Sequence, residues 1–82
     1  MKEVTYEEYC KLSYEERKNF TGIIKFDFGL QHYQQNGQLH KTDGPAIIRP
    51  DGSVMQYFIY GTQTTKKGQE LYHSLMKLKG LL

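Results

Sequence analysis

Glycine recurs along most of this chain at Gly22, Gly29, Gly37, Gly44, Gly52, Gly61 and Gly68, one every seven to nine residues. Each glycine inside a helix costs about 1 kcal/mol relative to alanine, whereas a tight turn favours one. The spacing therefore predicts short strands joined by tight turns through the middle of the chain. The residues beside the glycines agree. Asn36–Gly37 is the strongest short hairpin signal, Asp43–Gly44–Pro45 and Pro50–Asp51–Gly52 read as turns, and Gly44 is free to take a positive φ. From Ile24 to Leu30 the even positions are apolar, which predicts a strand with one buried face. Ala46–Ile48 and Val54–Tyr60 read as further strands. Residues 23–61 thus form an expected antiparallel meander of about four strands.

The flanks read differently. Thr5 and Glu8 form one capping-box pair and Ser13 and Glu16 a second, with acids in each first turn. They predict two short helices over about 5–11 and 14–20, the second closed by Gly22. Tyr6, Tyr9, Cys10, Leu12, Tyr14 and Phe20 are their expected apolar contacts, with Cys10 a buried thiol. Near the C-terminus Leu71, Leu75, Leu78 and Leu82 fall at spacings of four, three and four. They predict an amphipathic helix over 67–79 that packs its leucines on the sheet. With 82 residues the chain holds one domain. The predicted class is α+β, with the helices covering one face of the sheet.

An offset of 24 residues aligns Asp27 with Asp51, Tyr33 with Tyr57, Gly37 with Gly61 and Gly44 with Gly68, a weak internal repeat. The stretch Asn36–Gly61, NGQLHKTDGPAIIRPDGSVMQYFIYG, resembles a tandem repeat of open reading frames in bacteriophages and large DNA viruses. That repeat reads N-G-x-x-H-[RK]-x-D-G-P-A, a short strand, D-G, an aromatic strand and N-G-x-x-H, and it is similar to MORN repeats. The likeness covers about residues 32–64 and is carried by His40, Asp43, Gly44, Pro45 and Ala46. In the second copy Thr64 and Lys67 stand where His and Asp would recur, and Tyr60 takes the place of the turn Asn. The resemblance implies antiparallel β-hairpins and binding rather than catalysis.

Charge and cysteine content narrow the function classes. Net charge is +2, with residues 30–82 carrying three acids against six bases. That excludes an acidic nucleic-acid mimic and is too little to argue for nucleic acid on its own. The single Cys10 rules out an internal disulfide and fits a reducing cytoplasm. No apolar run approaches the ~20 residues of a membrane span. The opening MKEVTYEEYC has no apolar signal core, so the expectation is a complete small cytoplasmic product without a secretion signal.

Three chemistries can be written on these residues. Tyr33, Tyr57 and Tyr60 with Lys41 and Arg49 make an aromatic and basic surface suited to a protein partner, since aromatics and Arg dominate interface hot spots. The same set would suit single-stranded nucleic acid. His32, His40 and Asp43 could hold a metal for hydrolysis if a hairpin brought them together, although no metal-ligand spacing such as HExxH or CxxC is present. Against that stands a structural role in turns for Asn36, Gly37, His40, Asp43, Gly44, Pro45, Asp51 and Gly52, with His40 hydrogen-bonded to Asp43. The sequence favours a non-enzymatic, cofactor-free binding protein of phage type. It would inhibit or modulate a host protein, for instance in an anti-defence role such as anti-CRISPR. Self-association could use the C-terminal helix or a sheet edge.

Overall fold

The computed structural model describes residues 2–51 and 55–81. The predicted Gly52 turn position and Val54, the expected start of a strand, lie outside the described residues. The chain begins with a strand that sequence reasoning missed, β1 at Lys2–Thr5. Two five-residue helices follow, α1 at Tyr6–Cys10 and α2 at Tyr14–Lys18. Both capping boxes form as predicted: Thr5 and Ser13 accept from the backbone N–H groups of Glu8 and Glu16, whose carboxylates accept in return. β2 at Gly22–Lys25 then pairs parallel to β1. Parallel strands need a long return path, which residues 6–21 supply.

The other strands pair antiparallel. They are β3 at Gln31–Gln35, β4 at Gln38–Leu39, β5 at Ile47–Ile48, β6 at Met55–Ile59 and β7 at Thr62–Thr64. The order is β1-β2-β3-β5-β6-β7, with β4 paired to β3. The class is α+β as predicted, but the sheet is mixed rather than an antiparallel meander. α3 at Lys66–Leu78 closes the chain, one residue from its predicted bounds. Gly80, in the left-handed region, ends it in a Schellman motif through Gly80 N–H to Lys77 O and Leu81 N–H to Met76 O.

Register assigns the faces. Val4, Ile24, His32, Ile47 and Gln56 are cross-strand partners and share one face. Val4 and Ile24 bury there with Phe20, against Tyr9, Leu12 and Phe26 from the α1–α2 side. Tyr33 and Tyr57, at the alternate positions, lie on the opposite face, where α3 packs over β6. The helices therefore flank the sheet on both sides instead of covering one face. A short parallel return places α1 and α2 over β1 and β2, and α3 leaves β7 toward the other side.

Several expected contacts fall elsewhere. Cys10 is exposed, not buried, and Tyr14 is 71% exposed, so Tyr9, Leu12 and Phe20 supply the N-terminal contacts, with Tyr6 stacked on Phe26 at a centroid distance of 4.9 Å. Gly22 opens β2 rather than closing α2, whose C-cap is Asn19. The alternating run Ile24–Leu30 is strand only to Lys25, because a 3₁₀ turn at Asp27–Gly29 interrupts it. Phe28, expected on the buried face, sits in that turn at φ 62 and is 96% exposed; among the described residues no contact explains its position. Gly44 does not take the positive φ expected of it.

The β3–β4 turn is the predicted hairpin. Asn36 and Gly37 have φ of 50 and 77, the two positive values of a type I′ turn. Both of its amides are received by the segment before β2: Asn36 N–H donates to Thr21 Oγ1 at 3.0 Å and Gly37 N–H to Phe20 O at 2.9 Å. Gly37 also lies against the end of α2, where a Cβ would strike the Lys18 carbonyl. At the second turn glycine, Gly61 at φ 82, a Cβ would meet the flexible Gln38 side chain first, at an ordinary contact distance of 3.5 Å. Gly61→Ala is expected to cost about 1–2 kcal/mol from the left-handed backbone alone. Gly37→Ala adds a clash with backbone and should cost at least twice that, read as the difference in urea midpoints.

Candidate functional site

The second hairpin repeats the first 24 residues later, and its turn holds an aromatic in the left-handed region. Tyr60 and Gly61 have φ of 46 and 82, again a type I′ pair. A bulky aromatic in the left-handed region costs about 1–2 kcal/mol. The segment before it holds the turn in the same way as before. Gly61 N–H donates to Leu39 O at 2.8 Å, and Tyr60 N–H donates to His40 Nδ1 at 2.9 Å. The His40 ring also stacks on the Tyr60 ring, centroids 4.0 Å apart, and meets the Tyr72 ring edge-on. His40 is 7% exposed, and burial holds its pKa below the ordinary imidazole value. With Nδ1 accepting, the neutral ring carries its proton on Nε2. His40 is thus a turn-holding residue, but through Tyr60 and not through the predicted bond to Asp43.

Around this stack lies a cleft of about 720 Å³ lined by Tyr33, His40, Lys41, Asp43, Tyr60, Tyr72 and Met76 among others. Lys41 Nζ sits 3.8 Å from the centroid of Tyr33, a cation–π contact that fixes the ammonium at the cleft wall. The Tyr72 phenol is raised above its ordinary value by burial and by the neighbouring Tyr60 hydroxyl. Tyr60 leaves 49% of its surface exposed at the rim. Behind the cleft, Gln69 ties α3 to the loop after β4: its Nε2 donates to Lys41 O at 2.6 Å and also to Gly44 O. Gln69 is 4% exposed. A second cavity of about 470 Å³ under α3 is lined by Pro45, Tyr57, Gln69 and His73.

Of the five residues predicted for partner contact, Tyr33, Lys41 and Tyr60 meet in one cleft. Tyr57 is half-buried in the second cavity, and Arg49 stands near His32, whose pKa is lowered by burial and then by that guanidinium. His32 tilts over Phe26, centroids 4.5 Å apart, on the face opposite Tyr33 and His40. His32, His40 and Asp43 therefore do not converge, and among the described residues no three His, Cys, Asp or Glu side chains form a metal-binding group. The aromatic cleft offers stacking, a cation and hydroxyl groups, the chemistry of recognition. Sequence reasoning missed Gln69, Tyr72 and Met76, although positions 69, 72, 73 and 76 carry helical spacing. Compared with protein-family models, with curated proteins and with solved structures, the chain gives no match. Among the described residues no helix is long and apolar enough to cross a membrane.

The pH dependence of stability follows from these environments. His32 and His40 have lowered folded values, so the unfolded chain binds their protons first. Their contribution is complete above the ordinary value of ~6.5 and is lost as pH falls through the lower folded values. The capping carboxylates Glu8 and Glu16 are also lowered, from 4.5, by hydrogen bonds from Thr5 and Ser13. Their contribution is lost only in a more acidic window. Thermal melts should show a first loss of stability below pH ~6.5 and a separate one below about 4.5. His40→Ala should cost about 1–3 kcal/mol at neutral pH by orphaning the Tyr60 amide, and should shrink the first loss.

Proposed function

We propose that this chain is a binding module that acts by occupying a partner protein, as an inhibitor or modulator, with the Tyr60 cleft as its contact. One observation carries the proposal. Tyr60 stands at a turn position that favours Asn or Gly, is held there by a hydrogen bond and a ring stack from His40, and keeps half of its surface free. Backbone strain retained at a fixed and exposed aromatic is characteristic of recognition sites. A side chain fixed before binding loses little entropy on association, which makes it an effective anchor. Lys41, held on Tyr33, adds a cation for an acidic group of the partner.

The resemblance of residues 32–64 to the phage and viral repeat supports a partner in the host cell, including a component of a defence system. Single-stranded nucleic acid is less well supported, because one face of the Tyr33 ring is covered by Lys41 and one face of Tyr60 by His40. Bases stack on free ring faces.

Tyr60→Asn tests the assignment, because Asn suits the left-handed turn position better than Tyr. The variant is expected to fold with stability within about 1 kcal/mol of the parent, yet to lose at least about tenfold in affinity for a partner captured from host lysate. Capture by the variant equal to that by the parent would remove Tyr60 from the contact. Retention on single-stranded DNA that weakens steeply with salt, with no protein captured, would favour the nucleic-acid reading.

A further inference from the structure

The two hairpin turns are seated in equivalent ways, with one difference. At the first, Asn36 N–H donates to Thr21 Oγ1, a hydroxyl that does not titrate, and Asn is at home in a type I′ turn. At the second, Tyr60 N–H donates to His40 Nδ1 at 2.9 Å. Here the acceptor is an imidazole, and the occupant is an aromatic at φ 46, which the left-handed region disfavours. The seat that a proton can remove is therefore also the one whose turn needs it more.

We infer that His40 is a proton-operated latch: a second proton on its ring releases the Tyr60 turn and takes down the aromatic wall of the cleft, while the rest of the fold stays in place. The neutral ring already carries a proton on Nε2, so the added proton goes to Nδ1. That nitrogen then donates where it accepted, and it faces the Tyr60 amide donor to donor. Other titratable and charged groups share the cleft. Tyr33 comes from β3, Tyr60 from the turn after β6, Tyr72 from α3, and Lys41 and Asp43 from the loop that follows His40. None of them restores the bond. The Tyr60 face attracts a cation, but Lys41 Nζ already places one in the same cleft, against Tyr33. Asp43 would favour the charged ring, yet burial sets the direction of the His40 pKa. A ring only 7% exposed gains water for its charge by turning out of the stack.

The release is local, because the other hydrogen bonds that seat the hairpins and α3 contain no group that titrates in this range. Gly61 N–H to Leu39 O, and both first-turn bonds, join an amide to a carbonyl or a hydroxyl. α3 packs through Gln69, Tyr72, His73 and Met76, and not through the leucines that predict its buried face. Leu71, Leu75 and Leu78 are 63%, 48% and 86% exposed. The tie from Gln69 Nε2 to Lys41 O and Gly44 O is again amide to carbonyl. His32 lies over Phe26 on the opposite face, and His73 lines the cavity under α3, so neither seats this turn. With the His40 pKa lowered, the latch is closed above ~6.5 and opens as pH falls through the lower folded value. With the Tyr60 cleft as contact, a reading on which this consequence rests, a partner is held near neutral pH and let go in mild acid.

Amide hydrogen exchange and imidazole shifts of the full isotope-labelled chain, followed by NMR from pH ~7.5 to ~5, test the latch without any partner. As the His40 ring titrates, the protection factors of Tyr60 and Gly61 are expected to fall at least about tenfold, while those of Asn36 and Gly37 stay within about twofold. His40→Asn puts an amide oxygen in place of Nδ1 as an acceptor that does not titrate, and should keep Tyr60 protection level across the range. A His40 that stays neutral to pH ~5 would overturn the inference. So would a titrating His40 with Tyr60 protection unchanged, loss of protection at both turns together, or a Tyr60 loss that persists in His40→Asn. All but the last need only the parent chain, so they decide even where His40→Asn misfolds. Lysate capture at pH ~7.5 and ~5.5 separates the latch from the contact. Retention lost at the lower pH by the parent but kept by His40→Asn supports regulated binding, and equal retention by the parent at both values overturns it. No capture at either pH counts against the Tyr60 contact alone, and the exchange data still decide the latch.

Discussion

A pair of backbone amides at each hairpin turn, received by a carbonyl and a side-chain acceptor of the preceding segment, organises this fold. At the first turn Phe20 O and Thr21 Oγ1 take the Gly37 and Asn36 amides. At the second, Leu39 O and His40 Nδ1 take the Gly61 and Tyr60 amides. A type I′ turn leaves these donors pointing outward, and an unpaired amide away from water costs about 1–3 kcal/mol. Docking each hairpin on its predecessor removes that cost and fixes the stacking distance in one step. Phe20 and Thr21 therefore do for the first hairpin what Leu39 and His40 do for the second. The α1–α2 segment ends in a ready-made platform, and Phe20 joins it to the small core of Val4 and Ile24.

The same logic explains why the C-terminal helix is attached by polar groups. After β7 the chain has no third turn to dock. Thr65 caps α3 by accepting from Gly68 N–H, and the glycine at 68 lets the helix start close against the Thr64 side chain. Gln69 then donates to the carbonyls of Lys41 and Gly44, groups that the irregular loop after β4 leaves without a strand partner. A buried amide side chain satisfying two loop carbonyls anchors a helix without consuming apolar surface. The leucines are thereby left on the solvent side.

The sequence was legible where local chemistry decides and silent where tertiary contacts do. Both capping boxes and the Asn36–Gly37 hairpin formed as their residues predict, because each device closes within four residues. The 24-residue offset marks two hairpins with the same turn conformation, even though Tyr60 replaces Asn in the second. β1 was not legible: Lys2–Thr5 has one apolar residue and is strand only because β2 pairs with it. The Ile24–Leu30 alternation misled because the 3₁₀ turn at Asp27–Gly29, with Phe28 and Gly29 both in the left-handed region, interrupts the strand after Lys25. The leucine stripe misled for another reason. Periodicity locates an apolar face but does not say which body covers it. Of the site, Tyr33, Lys41 and Tyr60 were readable as residue types, while Gln69 and Tyr72 belong to it only through the packing of α3.

Phe28 and Tyr60, both aromatics in the left-handed region, separate strain with support from strain without it. Phe28 projects from the turn after β2, and the turn is closed beneath it by Phe26 N–H to Leu30 O, with the ring itself almost wholly in solvent. Tyr60 is gripped by a hydrogen bond to its amide and by a stacked ring, both from His40. One imidazole thus offsets the backbone cost and sets the direction of the phenol. It can do both only while neutral, because a protonated Nδ1 becomes a donor facing another donor. Burial beside two aromatic rings favours that neutral form, because it penalises the charged one and holds the His40 pKa below the ordinary imidazole value. The geometry of the proposed contact therefore rests on the same group that seats the second hairpin on the first, so the aromatic rim cannot be loosened without loosening the stack of hairpins that carries it.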